Sequence, residues 1–190
     1  MQEIEIEFKN LLTKEEYERL AVHYIKDSSE IKQQINYYFE TNDFELRSKR
    51  AALRIREKNG EYIATLKQPV ENGLLETHDV LSAEQFDQWL QDDINLPPNI
   101  NKQLNEIGVT GDQLSYKGAL QTNRFEEKND QYIIVLDHSQ YNQTEDYELE
   151  LEVYDYEYGK RLFSELLKKF KIEKRETSNK IARFFATVKK

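Results

Sequence analysis

The chain has no cysteine at all. That absence excludes a disulfide framework, thiolate metal sites and thiol nucleophiles. Three prolines and six glycines occur in 190 residues, and they do not gather into Pro-rich or Gly/Ser-rich linkers. A single domain over residues 1–190 is therefore the expectation. No repeat at a fixed period is visible, and no run approaches the roughly 18 consecutive apolar residues of a membrane span. Met1 is followed by an acidic stretch, not by a basic region and an apolar run. No secretory signature is seen, and a cytoplasmic protein without membrane attachment is expected. Surplus positive charge is missing too, with 27 Lys and Arg against 36 Asp and Glu and a formal net charge of -9. Broad electrostatic binding to nucleic acid is thereby disfavoured, although a local basic cavity is not.

Several catalytic signatures are absent. There is no GxxxxGK[ST] phosphate loop, no GxSxG nucleophile elbow and no HExxH pair. His23, His78 and His138 share no compact metal spacing and read as ordinary surface or strand histidines. The tyrosines of residues 141–158 are interleaved with Asp and Glu, which would repel a nucleic acid, so they read as sheet or interface packing.

What is present suffices for a core: 38% hydrophobic residues, including nine Phe and twelve Tyr, beside 33% charged ones. Ile4, Ile6 and Phe8 alternate with Glu5, Glu7 and Lys9, the pattern of a strand with an apolar and a charged row. Thr13-Lys14-Glu15-Glu16 is a capping box that opens a helix to about His23. Residues 33–41 and 45–58 read as strands, the second with Leu53 and Ile55 alternating with Arg54 and Arg56. Asn59-Gly60 turns the chain into a strand over 61–68, Pro69 stops it, and Asn72-Gly73 turns again into 74–81. A helix over 83–92, expected on the outside of the fold, carries Trp89, and a shorter one over 99–107 ends at Gly108. Strands follow over 115–127, 131–139 and 146–154, then a helix over 156–170 and a last one from Ser178. The count of about eight strands with tight turns suggests an α+β fold built on a closed or nearly closed antiparallel barrel.

Two arrangements produce such charged rows. A sheet with one face in water is the commoner, and a wide barrel with a polar interior and flanking helices is the other. The signs are sorted by strand: acids on the first and last, Arg and Lys on those between. A solvated face needs no sorting, whereas a metal–phosphate site does. The metal takes carboxylate oxygens, and phosphate oxygens take guanidinium and ammonium donors. Glu5 and Glu7 lie about 7 Å apart along their strand, close enough to serve one ion with Lys9 beside them.

The run Glu5-x-Glu7-x-Lys9, then Arg54-x-Arg56, Lys67 in Ala-Thr-Leu-Lys-Gln-Pro, Glu76, Arg124, Asp137, a Glu-x-Glu strand and Lys180 in a C-terminal helix resembles the CYTH superfamily, the triphosphate tunnel metalloenzymes. The resemblance spans Glu5 to about Arg183 and is similar in kind to bacterial stand-alone CYTH proteins. It implies an eight-stranded antiparallel tunnel that binds triphosphate-containing ligands with Mg²⁺ or Mn²⁺. Glu5, Glu7 and Lys9 would be the catalytic signature. Glu5 and Glu7 would share the metal with a pair drawn from Glu148, Glu150 and Glu152, of which Glu150 and Glu152 are favoured. Lys9, Arg54, Arg56, Lys67, Arg124, Lys180 and Arg183 would hold phosphate, and Glu76 and Asp137 would support them or help hold a second metal. The implied activity is metal-dependent hydrolysis of tripolyphosphate, a nucleoside triphosphate or thiamine triphosphate, by a monomer or homodimer. Cyclic AMP formation from ATP and a non-catalytic polyphosphate- or nucleotide-binding module are the alternatives.

Overall fold

The computed structural model describes residues 1–187. Among them eight strands run in chain order as β1 (Gln2–Leu12), β2 (Lys32–Thr41), β3 (Ala52–Lys58), β4 (Glu61–Val70), β5 (Gly73–Leu81), β6 (Leu114–Lys128), β7 (Tyr132–Tyr141) and β8 (Thr144–Val153). Helices α1 (Lys14–Tyr24), α2 (Glu45–Ser48), α3 (Ala83–Leu90), α4 (Pro98–Glu106), α5 (Tyr156–Lys169) and α6 (Lys180–Thr187) punctuate them. The strands close into an antiparallel barrel in the order β1-β5-β4-β3-β2-β6-β7-β8. The expected α+β barrel with flanking helices is therefore the observed fold.

The chain divides into two compact units. The first comprises Met1–Ile4 and Gln34–Leu120, the second Glu5–Gln33 and the chain from Gln121 onward. In the first unit, the apolar row of β2 to β5 (Phe39, Leu53, Ile55, Ala64, Leu66, Leu81) packs on Phe86, Trp89, Ile100 and Leu104 of α3 and α4. Trp89 is fully buried, edge-on to Phe39 with ring centroids 5.1 Å apart, which suits its outer-helix assignment. In the second unit, Phe125, Ile134, Leu136, Leu149, Leu151 and Val153 pack on Leu20 and Tyr24 of α1 and on Phe163, Leu166 and Leu167 of α5. Helices thus cover the apolar rows in both units. The charged rows lie on the opposite side of the strands from these helices, and several of their members are nonetheless buried: Asp137 is 0% exposed and Glu148 1%. An ordinary water-facing sheet is excluded for those rows.

Helix starts follow the local chemistry. Thr13 and Ser82 both form full capping boxes, and Asp155 accepts the Tyr158 N–H at the start of α5. At α4, Pro98 stands in the first turn and Asp79 of β5 accepts the Ile100 N–H at 2.9 Å. Three expectations need correction. Residues 45–58 are not one strand. The buried Glu40 carboxylate accepts the N–H groups of Leu46 (3.0 Å) and Arg47 (2.9 Å), and Thr41 Oγ1 accepts that of Glu45 (2.8 Å). These bonds fix the short α2 before β3 begins. Pro69 does not stop β4, which continues to Val70 opposite Gly73. The β3 register ends at Ala52 opposite Lys67, so Pro69 has no partner on that side that would need its missing N–H. The β7–β8 hairpin is also tighter than expected. Asn142 and Gln143, with φ of 46° and 64°, turn it between Tyr141 and Thr144.

Candidate active site

The register of the second unit assembles its charged row. Glu7 lies opposite Glu152 and Lys9 opposite Glu150 across β1 and β8. Asp137 lies opposite Glu148 across β7 and β8, and Arg124 opposite Asp137 across β6 and β7. These pairings place Glu7, Lys9, Arg124, Asp137, Glu148, Glu150 and Glu152 on one face. Glu5 continues the β1 row.

Ion pairs then knit the face together. Arg124 donates to Asp137 through Nε (2.8 Å) and Nη2 (2.6 Å), and its Nη2 also reaches Glu150 Oε2 (2.7 Å). Lys180, the first residue of α6, donates to Asp137 (2.5 Å) and Glu150 (3.0 Å) and lies 3.5 Å from Glu148 Oε1. Arg183, one turn on, grips Asp146 with Nε (2.8 Å) and Nη2 (3.2 Å) and also pairs with Glu148. Lys9 pairs with Glu7 on its own strand.

A strap of hydrogen bonds sets where α6 begins. Buried Asn10, beside Lys9 but on the opposite row, donates to the Glu173 carbonyl (3.0 Å) and accepts the Arg175 N–H (2.7 Å). Thr177 Oγ1 accepts the Leu11 N–H (2.9 Å), and Arg175 forks onto Glu16 of α1 (2.7 and 3.1 Å). Lys180 follows three residues after Thr177.

The electrostatics of this cluster are uneven. Burial opposes ionisation of Asp137 and Glu150, yet Arg124 and Lys180 outweigh it and hold both below the usual carboxylate range. Glu148 goes the other way. Its burial dominates, Lys180 offsets part of that, and the neighbouring Glu150 adds to it, so its pKa is pushed up to about 8. Burial alone would lower Lys180, but Asp137, Glu150 and Glu148 raise it far above an ordinary lysine. Glu148 Oε1 is buried and accepts no hydrogen bond among the described residues. A carboxylate so placed needs either a proton or a further cation.

The first unit carries a different row. Arg54 lies opposite Tyr38 on β2 and Thr65 on β4; Arg56 lies opposite Asn36 and Ile63. Arg56 Nε donates to Asn36 Oδ1 at 3.3 Å, while Arg54 Nε is buried with no acceptor among the described residues. Lys67 faces Glu76 across β4 and β5 and pairs with its Oε1. Glu76 Oε2 lies 3.3 Å from His78 Nε2, and Glu3 Oε1 approaches the same nitrogen at 3.2 Å. Ligand atoms of Glu3, Glu76 and His78 all fall within 4.8 Å of one another, an acidic–histidine cluster able to hold a metal ion.

Of the residues expected from the sequence, Glu7, Lys9, Arg124, Asp137, Glu148, Glu150, Glu152, Lys180 and Arg183 come together on one face of the second unit. Glu5 lies on its β1 row. Arg54, Arg56, Lys67 and Glu76 belong to the first unit. The sequence reading passed over Asp146, Glu3 and His78. Each lies two residues from a residue it did select, on the same alternation row, so extending each row one step would have found them. His23 and His138 have other surroundings: His23 lies against Tyr24 and Phe170, and His138 stacks on Tyr147 and meets Glu145 at 2.9 Å. No helix among the described residues is long and apolar enough to cross a membrane.

The CYTH domain model matches residues 3–185. YjbK of Bacillus subtilis (strain 168), provisionally named a triphosphatase, is 45% identical over 190 residues, covering all of this chain and 98% of that protein. A crystal structure from Bacillus halodurans (bh2851), provisionally described as an adenylate cyclase, is 41% identical. It superposes with a TM-score of 0.92 over 97% of this chain and 98% of its own. HpAC1 from Hippeastrum, described as having a dominant triphosphatase activity, is 23% identical. Its TM-score is 0.74 over 98% of this chain and 96% of its own, a likeness of fold. This chain belongs to the CYTH family, the triphosphate tunnel metalloenzyme group, with the hydrolase- or cyclase-type chemistry of that group on a phosphate-containing substrate.

Proposed function

We propose that this protein is a metal-dependent hydrolase of triphosphate-containing substrates, such as inorganic tripolyphosphate, a nucleoside triphosphate or thiamine triphosphate. The observation that carries the reading is the buried, sign-sorted face of the second unit, where carboxylates outnumber the cations that pair with them. Glu7 and Glu152 stand directly opposite across β1 and β8, with Cβ atoms about 4.5–5.5 Å apart, a spacing at which two carboxylates can serve one ion. The buried Glu148 Oε1 without a hydrogen-bond donor points the same way. Hard oxygen donors of this kind fit Mg²⁺ or Mn²⁺. Glu5, Glu7 and two of Glu148, Glu150 and Glu152 would hold the ion; Glu150 and Glu152 remain the favoured pair. When bound, the ion supplies Lewis-acid stabilisation of phosphate charge.

The chain's own side chains do the rest. Lys9, Arg124, Lys180 and Arg183 are fixed by carboxylates before substrate arrives, so their donors need no reorganisation as charge spreads over the transferred phosphoryl oxygens. Asp137 orients two of them, Arg124 and Lys180. In the first unit Arg54, Arg56 and Lys67 are the proposed phosphate ligands, with Glu76 orienting Lys67. Water oxygen attacks the terminal phosphorus, the bond to the bridging oxygen breaks, and phosphate and a diphosphate product leave. A polyanion binder without turnover would gain nothing from this set of carboxylates, which favours an enzyme. The provisional name of YjbK, at 45% identity, supports hydrolysis.

Cyclisation of ATP is the second reading, favoured by the designation of the Bacillus halodurans relative. There the ribose 3′-oxygen attacks the α-phosphorus and diphosphate leaves. Product analysis after incubation of tripolyphosphate, ATP and thiamine triphosphate with Mg²⁺ or Mn²⁺ separates the readings. Hydrolysis yields phosphate with the matching diphosphate. Cyclic AMP from ATP would move the assignment to a cyclase. Retained binding of tripolyphosphate without any product would move it to a binding module.

A further inference from the structure

We propose that Glu3, Glu76 and His78 of the first unit form a binding site for a late first-row transition-metal dication, Zn²⁺, Co²⁺ or Ni²⁺, in preference to Mg²⁺. Glu76 also orients Lys67 in the hydrolase reading, whereas Glu3 and His78 have no part in it, and the test below reads metal binding, not turnover.

Three observations carry it. The first is spacing. Metal–oxygen and metal–nitrogen bonds of about 2.0–2.2 Å put neighbouring ligand atoms about 3.0–3.5 Å apart. His78 Nε2 stands 3.2 Å from Glu3 Oε1 and 3.3 Å from Glu76 Oε2. The second is a built surround. His78 Nδ1 meets Thr65 Oγ1 at 3.0 Å; Thr65 is 3% exposed and directly opposite His78 across β4 and β5. Such a partner on the far ring nitrogen fixes the ring and aims the other nitrogen, a recurring feature of metal-bound histidine. Glu76 is held likewise, its Oε1 on Lys67 and its Oε2 turned to His78. Third, in the tautomer whose Nδ1–H donates to Thr65, the Nε2 lone pair faces one oxygen each of Glu3 and Glu76, an arrangement that a cation among the three atoms stabilises.

Imidazole among the ligands sets the selectivity, since it suits late first-row dications such as Zn²⁺ and Ni²⁺, whereas Mg²⁺ takes oxygen ligands and water. Glu3 is the adaptable ligand: its side chain is 59% exposed, so it can rotate inward to complete the site. The ion would also tie the start of β1 to β5. Met1 already exchanges backbone bonds with His78, and Gln2 Nε2 donates to Thr77 Oγ1 at 3.0 Å.

The competing state holds no metal: Nε2–H donates to a carboxylate and Nδ1 accepts from the Thr65 hydroxyl. Zn²⁺ titration calorimetry of the wild type in excess Mg²⁺ distinguishes them, with His78→Ala, Thr65→Val and Glu7→Ala alongside. The site predicts that His78→Ala lowers the Zn²⁺ stoichiometry by one equivalent, that Thr65→Val weakens that equivalent about 10-fold, and that Glu7→Ala retains it. Identical Zn²⁺ binding in wild type and His78→Ala would overturn the proposal. Should His78→Ala fail to fold by circular dichroism, X-ray absorption of the Zn²⁺-loaded wild type decides. An imidazole shell lost in His78→Gln supports the site, and a shell of oxygen ligands alone overturns it.

Discussion

The charged rows of the two units face opposite electrostatic problems. In the second unit, Lys9, Arg124, Lys180 and Arg183 each sit on a carboxylate, and burial raises the pKa of Glu148 despite Lys180 and Arg183 beside it. In the first, Arg54 and Arg56 lie opposite Tyr38, Thr65, Asn36 and Ile63, none of them acidic. An acid-rich row invites a cation, and a base-rich row whose cross-strand neighbours at Arg54 and Arg56 are uncharged invites an anion. Both rows come from the same device, strand alternation with helices over the apolar side. The chemistry of each follows from which sign its strands carry, and the fold alone does not set it.

The contrast breaks most severely if the acidic row is disarmed. Glu7→Ala should lower metal-dependent turnover by about a thousandfold, the scale of losing a principal electrostatic stabiliser of the transition state. Restoration of the rate by extra metal would show that Glu7 serves metal affinity only. The base-rich row should respond differently. Arg54→Ala removes a charge-assisted donor worth about 1.5–3 kcal/mol, so KM for tripolyphosphate should rise about 10–100-fold with kcat less affected. An equal fall in kcat with unchanged KM would assign Arg54 to the transition state.

The acid-rich unit should also carry a pH signature in EDTA. Glu148 is raised from 4.5 to about 8. A carboxyl raised in the folded state contributes stability that is complete below its unfolded pKa and is lost as pH rises through the folded one. Unfolding free energy should thus fall by about 2–3 kcal/mol between about pH 6 and 8, and Glu148→Gln should flatten that slope. Asp137 and Glu150, both lowered, oppose it only in acid, where their contribution is lost as pH falls through their folded pKa values. Urea titrations at several pH values read this directly; a wild-type slope of the opposite sign would contradict it. The smallest effect is expected at Asn10→Ala, which leaves the Arg175 N–H of the strap without its acceptor and the Glu173 carbonyl with only the Arg175 guanidinium at 3.3 Å. We expect about 1–2 kcal/mol of destabilisation. If Asn10 positions α6, the pH slope from Glu148 should change as well, because Lys180 and Arg183 then lose their placement.

Much of this was legible in the sequence because strand alternation is a local code. Leu53 and Ile55 against Arg54 and Arg56, and Leu149, Leu151 and Val153 against Glu148, Glu150 and Glu152, could be read without any partner strand. The Asn59-Gly60 turn was equally local, and the structure gives these residues φ of 55° and 78°. What escaped depends on residues distant in the chain. Helix α2 exists because Glu40 reaches six and seven residues ahead to Leu46 and Arg47. Alternation also cannot say which face is buried; the helices that cover the apolar rows decide that. The Glu3–Glu76–His78 cluster needs β1 beside β5, a neighbour relation between strands more than 60 residues apart. Read alone, His78 had no ligand partner.

The most direct measurement is phosphate release from inorganic tripolyphosphate across a Mn²⁺ titration, run on the wild type and on Glu7→Ala. The account predicts a rate that is absent in EDTA, saturates with metal, and is lost in the variant. Release that persists in EDTA, or a metal response that Glu7→Ala leaves unchanged, would contradict the assignment of the acidic row as a catalytic metal centre.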